Sequence, residues 1–337
     1  MGRDLAIDLG SANTLVYRSG EGIVFNEPTV IAVQAGSGKI LEMGDRAWEV
    51  IDQAPASATV SRPLRSGKIT DFDVIQRMFR LIFQRIAIQR FPKPRALIAV
   101  PSTITQVERR ALEQAVRHTG ARTPVLVDAP LAGAIGAGLP IHEPVGNLII
   151  DIGGAMTEFA VVSMGGVVDH RAAPVGGFDM DAAIQEHVRK KYDVLIGEKT
   201  AERIKMAIGS AYPTAGRMRG ARIRGRETAT GASRDIELSE AEVREALAGP
   251  VRAIAAAARH ALAEAPPELT HDVLETGMFL AGGGSLLRGM DMLLAQECEV
   301  PVHLTETPED TVVLGAGSML EQYEAFASSL QIDRAER

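Results

Sequence analysis

The chain has 337 residues, 46% of them hydrophobic and 23% charged, which is the balance of an ordinary globular protein long enough for two domains. Its net charge of −7 argues against a general nucleic-acid-binding protein, which needs a basic face to displace counterions. The single cysteine, Cys298, excludes an internal disulfide and a cysteine-based zinc site, so we expect a reducing, cytoplasmic compartment.

The first part of the chain predicts strands alternating with helices, as in α/β domains. Helical spacing of apolar residues predicts a helix over 73–89, and a run of small residues predicts another over 131–139. Between them, Thr105-Gln106-Val107-Glu108 is a capping box that opens a third helix. Gly36-Ser37-Gly38-Lys39 lacks the flanking residues of a phosphate loop and is interpreted as a hairpin turn. Short apolar runs predict strands at 5–9, 14–17, 22–26, 29–33, 96–100 and 125–127.

The second part repeats this order of elements. We predict a helix over 179–191 and another that starts at the capping box Ser239-Glu240-Ala241-Glu242 and runs through Leu247. The arginine-rich stretch 217–234 is interpreted as a solvated hairpin, with a basic contact surface as the alternative. The repetition predicts two related α/β halves with a cleft between them. The strands predicted here are 148–152, 158–163 and 166–173.

One short pattern occurs twice, first as Leu5-Ala6-Ile7-Asp8-Leu9-Gly10-Ser11 and again as Leu148-Ile149-Ile150-Asp151-Ile152-Gly153-Gly154. Each copy is a buried strand that ends in a carboxylate and a glycine turn. Glycine lets backbone N–H groups approach phosphate oxygens, and each aspartate can hold a hydrated divalent cation near that charge. A single copy is a common edge of an α/β sheet, but two copies favour a polyphosphate held from both sides.

A third glycine cluster lies in residues 277–289, where an apolar strand runs into Gly282-Gly283-Gly284-Ser285. A nucleoside can lie against such a turn because no Cβ projects from it, although a tight corner without a ligand has the same sequence. Three corners spread over the chain predict one cleft built from distant segments. The apolar residues after this corner have the spacing of a helix packed on one face, and they are Leu286, Leu287, Met290, Leu293 and Leu294.

Other chemistries find little support in the sequence. The seven histidines are scattered, and neither a His-Glu-x-x-His helix nor a Gly-x-Ser-x-Gly elbow occurs, so metal hydrolases and serine hydrolases rank low. Residues 1–4 lead directly into the first strand, so we expect no secretory signal peptide. No apolar run approaches the roughly twenty residues that cross a bilayer, so any membrane association is expected to be peripheral.

Six further motifs follow one another along the chain. They are 8–17 (DLGSANTLVY), 26–32 (NEPTVIA), 107–110 (VERR), 136–140 (GAGLP), 196–205 (IGEKTAERIK) and 281–289 (AGGGSLLRG). In order and spacing they resemble the MreB family of bacterial actin homologues. The resemblance runs from the first strand to about residue 320, nearly the whole chain.

This resemblance implies an α/β, actin/Hsp70-like (RNase H-like) fold in which two lobes, four subdomains in all, enclose ATP and Mg²⁺. Lobe I would span 1–140 with a small subdomain inserted at about 32–75. Lobe II would span 141–320 with an insertion at about 178–245, and 321–337 would be a C-terminal tail.

The resemblance also assigns site residues. Asp8 and Asp151 would sit beside the hydrated Mg²⁺. Glu202 and Lys205 would flank the base or ribose, with a surface ion pair as the alternative. The residues of the phosphate loops and the nucleoside corner would be Gly10, Ser11, Ala12 and Asn13 in the first loop, Gly153, Gly154 and Ala155 in the second, and Gly282, Gly283, Gly284 and Ser285 at the nucleoside.

Three positions depart from the family pattern. Ala129 stands where the family has a glutamate that orients the attacking water, and the adjacent Asp128 would point about 100° away if helical. Ala155 and Met156 replace a glycine and a hydroxyl residue in the second phosphate loop, and Phe178 replaces a common acidic residue. Loss of a positioned base typically costs about a hundredfold to ten-thousandfold in rate, so we expect ATP binding with weak or absent hydrolysis and assign no catalytic residue.

The family polymerises into filaments on the inner face of the cell membrane and guides the cell-wall elongation machinery. The implied partners are therefore other copies of the chain, morphogenesis proteins and the membrane surface. Segment 86–95 resembles the family's apolar insertion loop, in which Ile88 and Phe91 would enter the membrane; packing on their own subdomain is the alternative. Two other functions stay open: a nonpolymerising scaffold and a small-molecule kinase of the same fold.

Overall fold

A computed structural model of the chain describes residues 4–52, 57–65, 68–69, 71–87, 93–122, 124–213 and 219–326. The strands in these ranges are β1 (Leu5–Leu9), β2 (Asn13–Arg18), β3 (Gly22–Pro28), β4 (Ile31–Gln34), β5 (Ile40–Met43), β6 (Ala58–Ser61), β7 (Leu64–Arg65), β8 (Lys68–Ile69), β9 (Ala96–Val100), β10 (Pro124–Asp128), β11 (Asn147–Ile152), β12 (Thr157–Ser163), β13 (Gly166–Ala173), β14 (Val194–Leu195), β15 (Gly220–Glu227), β16 (Ser233–Ser239), β17 (Met278–Ala281) and β18 (Val302–Leu304).

Helices connect these strands in the alternation that the sequence predicts. They are α1 (Asp45–Glu49), α2 (Phe72–Arg85), α3 (Gln106–Arg117), α4 (Ala129–Gly136), α5 (Gly177–Tyr192), α6 (Glu198–Ile208), α7 (Glu240–Glu264), α8 (Pro267–Thr276), α9 (Met290–Cys298), α10 (Thr311–Glu321) and α11 (Tyr323–Phe326), with a 3₁₀ turn over Gly283–Leu286.

Two five-stranded sheets have the same topology. The first has the order β3-β2-β1-β9-β10, and the second has the order β13-β12-β11-β17-β18. In both, the first three strands are antiparallel neighbours and the last three are parallel. Strands β1 and β11, which carry the repeated Asp-x-Gly pattern, therefore hold equivalent central positions. The duplication predicted from the sequence is confirmed.

The central strands are buried on both faces. Leu5 and Ile7 of β1 pack on the outer core of the first half, whereas Ala6 faces a core shared by the two sheets. This shared core also holds α4 and α10, one helix from each half. The two helices cross where Gly136 meets Gly315, and a Cβ built on Gly315 would lie only 1.7 Å from the carbonyl oxygen of Ala132. Only glycine permits this approach, which fixes how the two halves meet.

Each half carries a small additional sheet. Strands β5-β4-β6 form one in the first half, beside the β7–β8 hairpin, and β14-β15-β16 form the other in the second half. They lie within the predicted insertions 32–75 and 178–245 apart from the start of β4, but the subdomain boundaries themselves remain a prediction. Strands β15 and β16 form the predicted hairpin, where Arg222 and Arg224 pair with Asp235 at 2.9 and 2.7 Å. Residues 214–218 and the end of the predicted tail, 327–337, lie outside the described residues.

The two helix starts predicted from capping boxes are confirmed, whereas α4 and α5 each begin two residues earlier than predicted and some helix ends differ. Thr105 and Glu108 form the reciprocal capping box of α3, and the Ser239 hydroxyl accepts from the Glu242 N–H at the start of α7. Helix α7 continues past Leu247 to Glu264, through Pro250, because its next four turns bury apolar side chains in the core of the second half. Helix α2 ends at Arg85, four residues earlier than predicted.

Among the described residues, no helix is both long enough and apolar enough to cross a bilayer.

Candidate functional site

The two repeated corners have the same geometry. Leu9 pairs with Thr14 across the first corner, and Ile152 pairs with Thr157 across the second, so each encloses four residues. A Cβ on Gly10 would lie 2.6 Å from the carbonyl oxygen of Asn13, so this corner requires glycine. The two corners also approach one another, since a Cβ on Gly154 would lie 3.0 Å from the Cβ of Ala12. Backbone from both halves thus converges on one place.

The third glycine corner packs against the second. Gly282 has a φ of +80°, and a Cβ there would lie 2.2 Å from a carboxylate oxygen of Asp151. The residues after it form a 3₁₀ turn before α9 begins. The prediction that Leu286 packs with the helix is therefore wrong: this residue is 47% exposed because the turn does not share the helical spacing, whereas Leu287, Met290 and Leu294 are buried.

A cavity of about 500 Å³ lies between the two halves, where the three corners converge. Ser285 is predicted at this site but does not line the cavity, because its side chain is buried and its hydroxyl donates to the carbonyl oxygen of Gly282 at 2.6 Å. The predicted residues that do line it are Asp8, Gly10, Ser11, Ala12, Asn13, Ala129, Asp151, Gly153, Gly154, Ala155, Met156, Phe178, Glu202, Lys205, Gly282, Gly283 and Gly284.

Three carboxyl groups lie at the floor of this cavity. Burial, together with the charge of Asp151, raises the pKa of Asp8 to about 7, and burial raises the pKa of Asp151 to about 6. The third group, Glu158, is the cross-strand partner of Asp151 and accepts a hydrogen bond from the Ser102 N–H at 2.9 Å. Burial and the charges of Asp151, Asp128 and Asp8 raise the pKa of Glu158 to about 8.

Sequence reasoning missed Glu158. The sequence does contain a signal for this residue, because Glu158 is the one carboxylate in β12, a strand whose seven residues are all buried. A carboxylate in a fully buried strand costs stability unless it is paired or hydrogen-bonded, so its presence beside a cavity marks a candidate functional residue.

Asp8 and Asp151 are the two residues predicted to hold a cation. Among the described residues, no group of three or more His, Cys, Asp or Glu side chains is arranged to ligate a metal ion. Burial is the main cause of the raised pKa of Asp8, to which the charge of Asp151 adds, and it is the cause of the raised pKa of Asp151; a nearby cation would favour the charged form of both carboxyl groups. Their assignment to Mg²⁺ remains a prediction.

Asp128 does not take the place of the missing glutamate. It ends β10, and its carboxylate is bound by Arg109 Nη2 at 2.6 Å. Asp128 is absent from the cavity lining, whereas the methyl group of Ala129 faces the cavity. Position 129 in the cavity lining therefore carries no proton acceptor.

Glu202 and Lys205 both line the cavity, on α6. Lys205 is already engaged, because its Nζ donates to the Gly177 carbonyl oxygen at 3.0 Å and lies 2.9 Å from the carboxylate of Asp181. Asp181 is buried, and burial raises its pKa to about 6 even though Lys205 lowers it. Of the two predicted residues, Glu202 is the freer to meet a ligand. Ile88 and Phe91, which are predicted to enter the membrane, lie outside the described residues.

The buried carboxyl of Glu158 predicts a pH-dependent stability. A carboxyl whose pKa is higher in the folded state binds more protons there, so its effect is to lower stability as the pH rises from about 4.5 towards 8. We expect Glu158→Gln, which can still accept from the Ser102 N–H, to melt higher than the wild type at about pH 8.5 and to lose that advantage towards about pH 5. Thermal unfolding without nucleotide or metal measures this.

Glu186→Gln is the matched control. Glu186 is exposed, and hydrogen bonds from Arg189 and Lys190 lower its pKa to about 2. Its replacement should give no advantage at high pH. An equal response of the two variants would contradict the raised pKa of Glu158.

A five-stranded sheet repeated in two halves, with a cavity between the equivalent corners, is the architecture of actin-like proteins. The solved structure of MreB5 of Spiroplasma citri bound to ADP superposes with a TM-score of 0.91 at 30% identity, covering 96% of this chain and 98% of that one. A MamK double helical filament, at 19% identity and a TM-score of 0.78, agrees in fold. The predicted fold class is confirmed.

The sequence comparisons define the family. The MreB/Mbl protein family matches residues 2–328. The cell shape-determining protein MreB of Escherichia coli K12 is 44% identical over 333 residues, which are 97% of this chain and 96% of the relative. The cell shape-determining protein Mbl of Bacillus cereus is 41% identical over 320 residues, 95% and 96% of the two chains. The chain therefore belongs to the MreB/Mbl family of cell shape-determining actin homologues, as its motifs predict.

Proposed function

We propose that the chain binds ATP with Mg²⁺ in the cavity between its halves and assembles, in that state, into filaments on the inner face of the cell membrane. The observation that carries this proposal is the convergence of three glycine corners, two from the second half and one from the first, on one cavity with two aspartates at its floor. Solved structures of the Spiroplasma citri relative contain ADP or AMPPNP, which supports the choice of an adenine nucleotide.

In this proposal the phosphates lie against the corners Gly10–Asn13 and 153–155. Backbone N–H groups there can donate to the phosphate oxygens, apart from that of Gly153, which donates to the Met156 carbonyl oxygen. Asp8 and Asp151 hold water molecules of the Mg²⁺ shell, and the cation neutralises phosphate charge. Glu202 accepts from the ribose, and the corner Gly282–Gly284, which lines the cavity, lies beside the nucleoside.

Hydrolysis is slow in this proposal. Nothing at position 129 can orient or deprotonate water, and Arg109 holds the Asp128 carboxylate. Met156 fills the place of a family hydroxyl in the second phosphate corner. Binding and turnover are thereby separated: the residues proposed to contact phosphate, metal and ribose line the cavity, whereas position 129 has no group that acts on water.

A measurement of polymerisation distinguishes the proposed filament protein from a nonpolymerising scaffold. We expect light scattering of the purified chain to rise with protein concentration when ATP and Mg²⁺ are present, with filaments visible by electron microscopy. A flat signal at every concentration would favour the scaffold. ADP production that depends on an added sugar would instead favour a small-molecule kinase.

Membrane contact rests on the segment that contains Ile88 and Phe91. An aromatic ring among acyl chains, with Arg90 and Lys93 at anionic headgroups, would hold the filament on the bilayer without a spanning helix. Co-sedimentation with anionic vesicles should fall for Phe91→Ala, and unchanged pelleting would refute this role. Morphogenesis and cell-wall elongation proteins are the proposed partners of such a filament.

A further inference from the structure

A cluster of side chains joins the two halves beside the cavity. Arg62, which follows β6 in the first half, donates through Nε and Nη2 to one carboxylate oxygen of Glu198, at 3.0 and 2.6 Å. Glu198 is the first residue of α6 in the second half. The Arg62 side chain is only 12% exposed, so this ion pair is partly shielded from water. Such pairs are stronger than ion pairs on an open surface.

The same arginine also lies over two aromatic rings. Its guanidinium carbon is 4.1 Å from the ring centre of Phe178 in the second half and 4.9 Å from that of Trp48 in the first. Phe178 stands where the family commonly has an acidic residue, so this chain holds Arg62 with a ring at that position. Cation–π contacts of this kind persist when water is excluded.

A second contact spans the halves at the same place. The carboxylate of Asp52 accepts a hydrogen bond from the backbone N–H of Glu198 at 2.9 Å. It is packed so closely on Gly197 that a Cβ there would lie 2.1 Å from the carboxyl carbon. Asp52 therefore caps a helix that belongs to the other half, and the glycine before that helix makes room for it.

Phe178 connects this cluster to the phosphate corner. It lines the cavity, and a Cβ on Gly154 would lie 2.8 Å from the tip of its ring. One face of the cluster thus contacts the place where a phosphate would be bound. Separation of the halves at this place requires the Arg62 and Asp52 contacts to break.

We propose that Arg62, Glu198, Phe178 and Asp52 form a latch that holds the two halves together over the cavity and so slows the release of nucleotide. This inference rests on the proposed binding of ATP in that cavity. The latch makes the lifetime of the bound nucleotide depend on contacts between halves as well as on contacts with the nucleotide itself.

The release rate of a fluorescent ATP analogue (mant-ATP), measured after a chase with unlabelled ATP and Mg²⁺, tests whether the latch slows the release of nucleotide. Because both variants remove the charge-assisted hydrogen bonds between the halves, we expect Arg62→Ala and Glu198→Ala each to release the analogue about tenfold faster. The double variant should be no faster than the faster single one, since both remove the same bond. Phe178→Leu, which keeps apolar bulk beside Gly154, should release it a few-fold faster.

Arg189→Ala is the matched control. It breaks an ion pair of the same kind with Glu186, at 2.7 Å, but within α5. Its release rate should equal that of the wild type. Circular dichroism spectra and melting curves identify any variant whose fold is damaged.

A distance measurement tests the latch without nucleotide. Spin labels on Leu41→Cys and Ala229→Cys, in a Cys298→Ser background, report the separation of the two small sheets, because both positions are exposed and lie in opposite halves. We expect Arg62→Ala to lengthen and broaden the distance distribution.

The two measurements distinguish failure of the latch from failure of nucleotide binding. A longer spin-label distance in Arg62→Ala, together with no binding of mant-ATP by the wild type, would support the latch and refute the proposed binding of ATP. Normal binding with unchanged release and unchanged distances in Arg62→Ala and Glu198→Ala would overturn the latch.

Discussion

Gly315→Ala is expected to lower the free energy of unfolding by about 3 kcal/mol or more. The new Cβ would lie 1.7 Å from the Ala132 carbonyl oxygen and 2.6 Å from the Gly136 nitrogen, and both atoms belong to helix backbone that cannot rotate away. Helices α4 and α10 lie between the two sheets, so separating them also moves a sheet. Urea unfolding followed by circular dichroism measures the loss.

Gly249→Ala provides the matched control. Gly249 lies inside α7, and a Cβ there would meet no atom within 4 Å beyond the helix's own nearby backbone. Alanine is the better helix former, but the ring of Pro250 disfavours a Cβ on the helical residue before it, so we expect this variant to change stability by no more than about 1 kcal/mol. If Gly315→Ala proved as stable as Gly249→Ala, the described crossing of α4 and α10 would be wrong.

Ala129→Glu is expected to raise the rate of phosphate release from ATP by about a hundredfold or more. Ala129 lines the cavity at the start of α4, so a carboxylate at this position faces the phosphate corners and can orient water. Affinity for ATP should change little, because the contacts proposed to bind phosphate and ribose are made by other residues. Phosphate release at saturating ATP and Mg²⁺ measures the gain.

Ala129→Gln distinguishes a carboxylate effect from a packing effect. Glutamine has nearly the same size and can hydrogen-bond water, but it cannot take a proton, so its gain should be much smaller. A wild-type chain that already releases phosphate as fast as Ala129→Glu would show that position 129 does not limit hydrolysis.

The central sheets and their corners could be predicted from sequence because their signals are local. Apolar runs that end in Asp8 or Asp151 and then glycine give both the strand and its end, and the repetition gives the duplicated topology. The start of α3 was equally local, since Thr105 and Glu108 are three residues apart and bond to each other.

Features that depend on distant contacts could not be predicted. Helix α7 passes through Pro250 because the burial of its apolar side chains in the core of the second half stabilises it by more than the loss of one helical hydrogen bond at proline costs. The contact of Arg62 with Glu198 joins residues 136 positions apart, and no local pattern marks it.

Calorimetric titration of ATP into the purified chain, with and without Mg²⁺, tests nucleotide binding between the halves most directly. We expect one ATP per chain, tighter binding when Mg²⁺ is present, and a large loss of affinity in Gly154→Val, whose side chain would press on Ala12 and Phe178 where the two corners meet. No binding heat with ATP and Mg²⁺, or an unchanged affinity in Gly154→Val, would contradict a nucleotide site in this cavity.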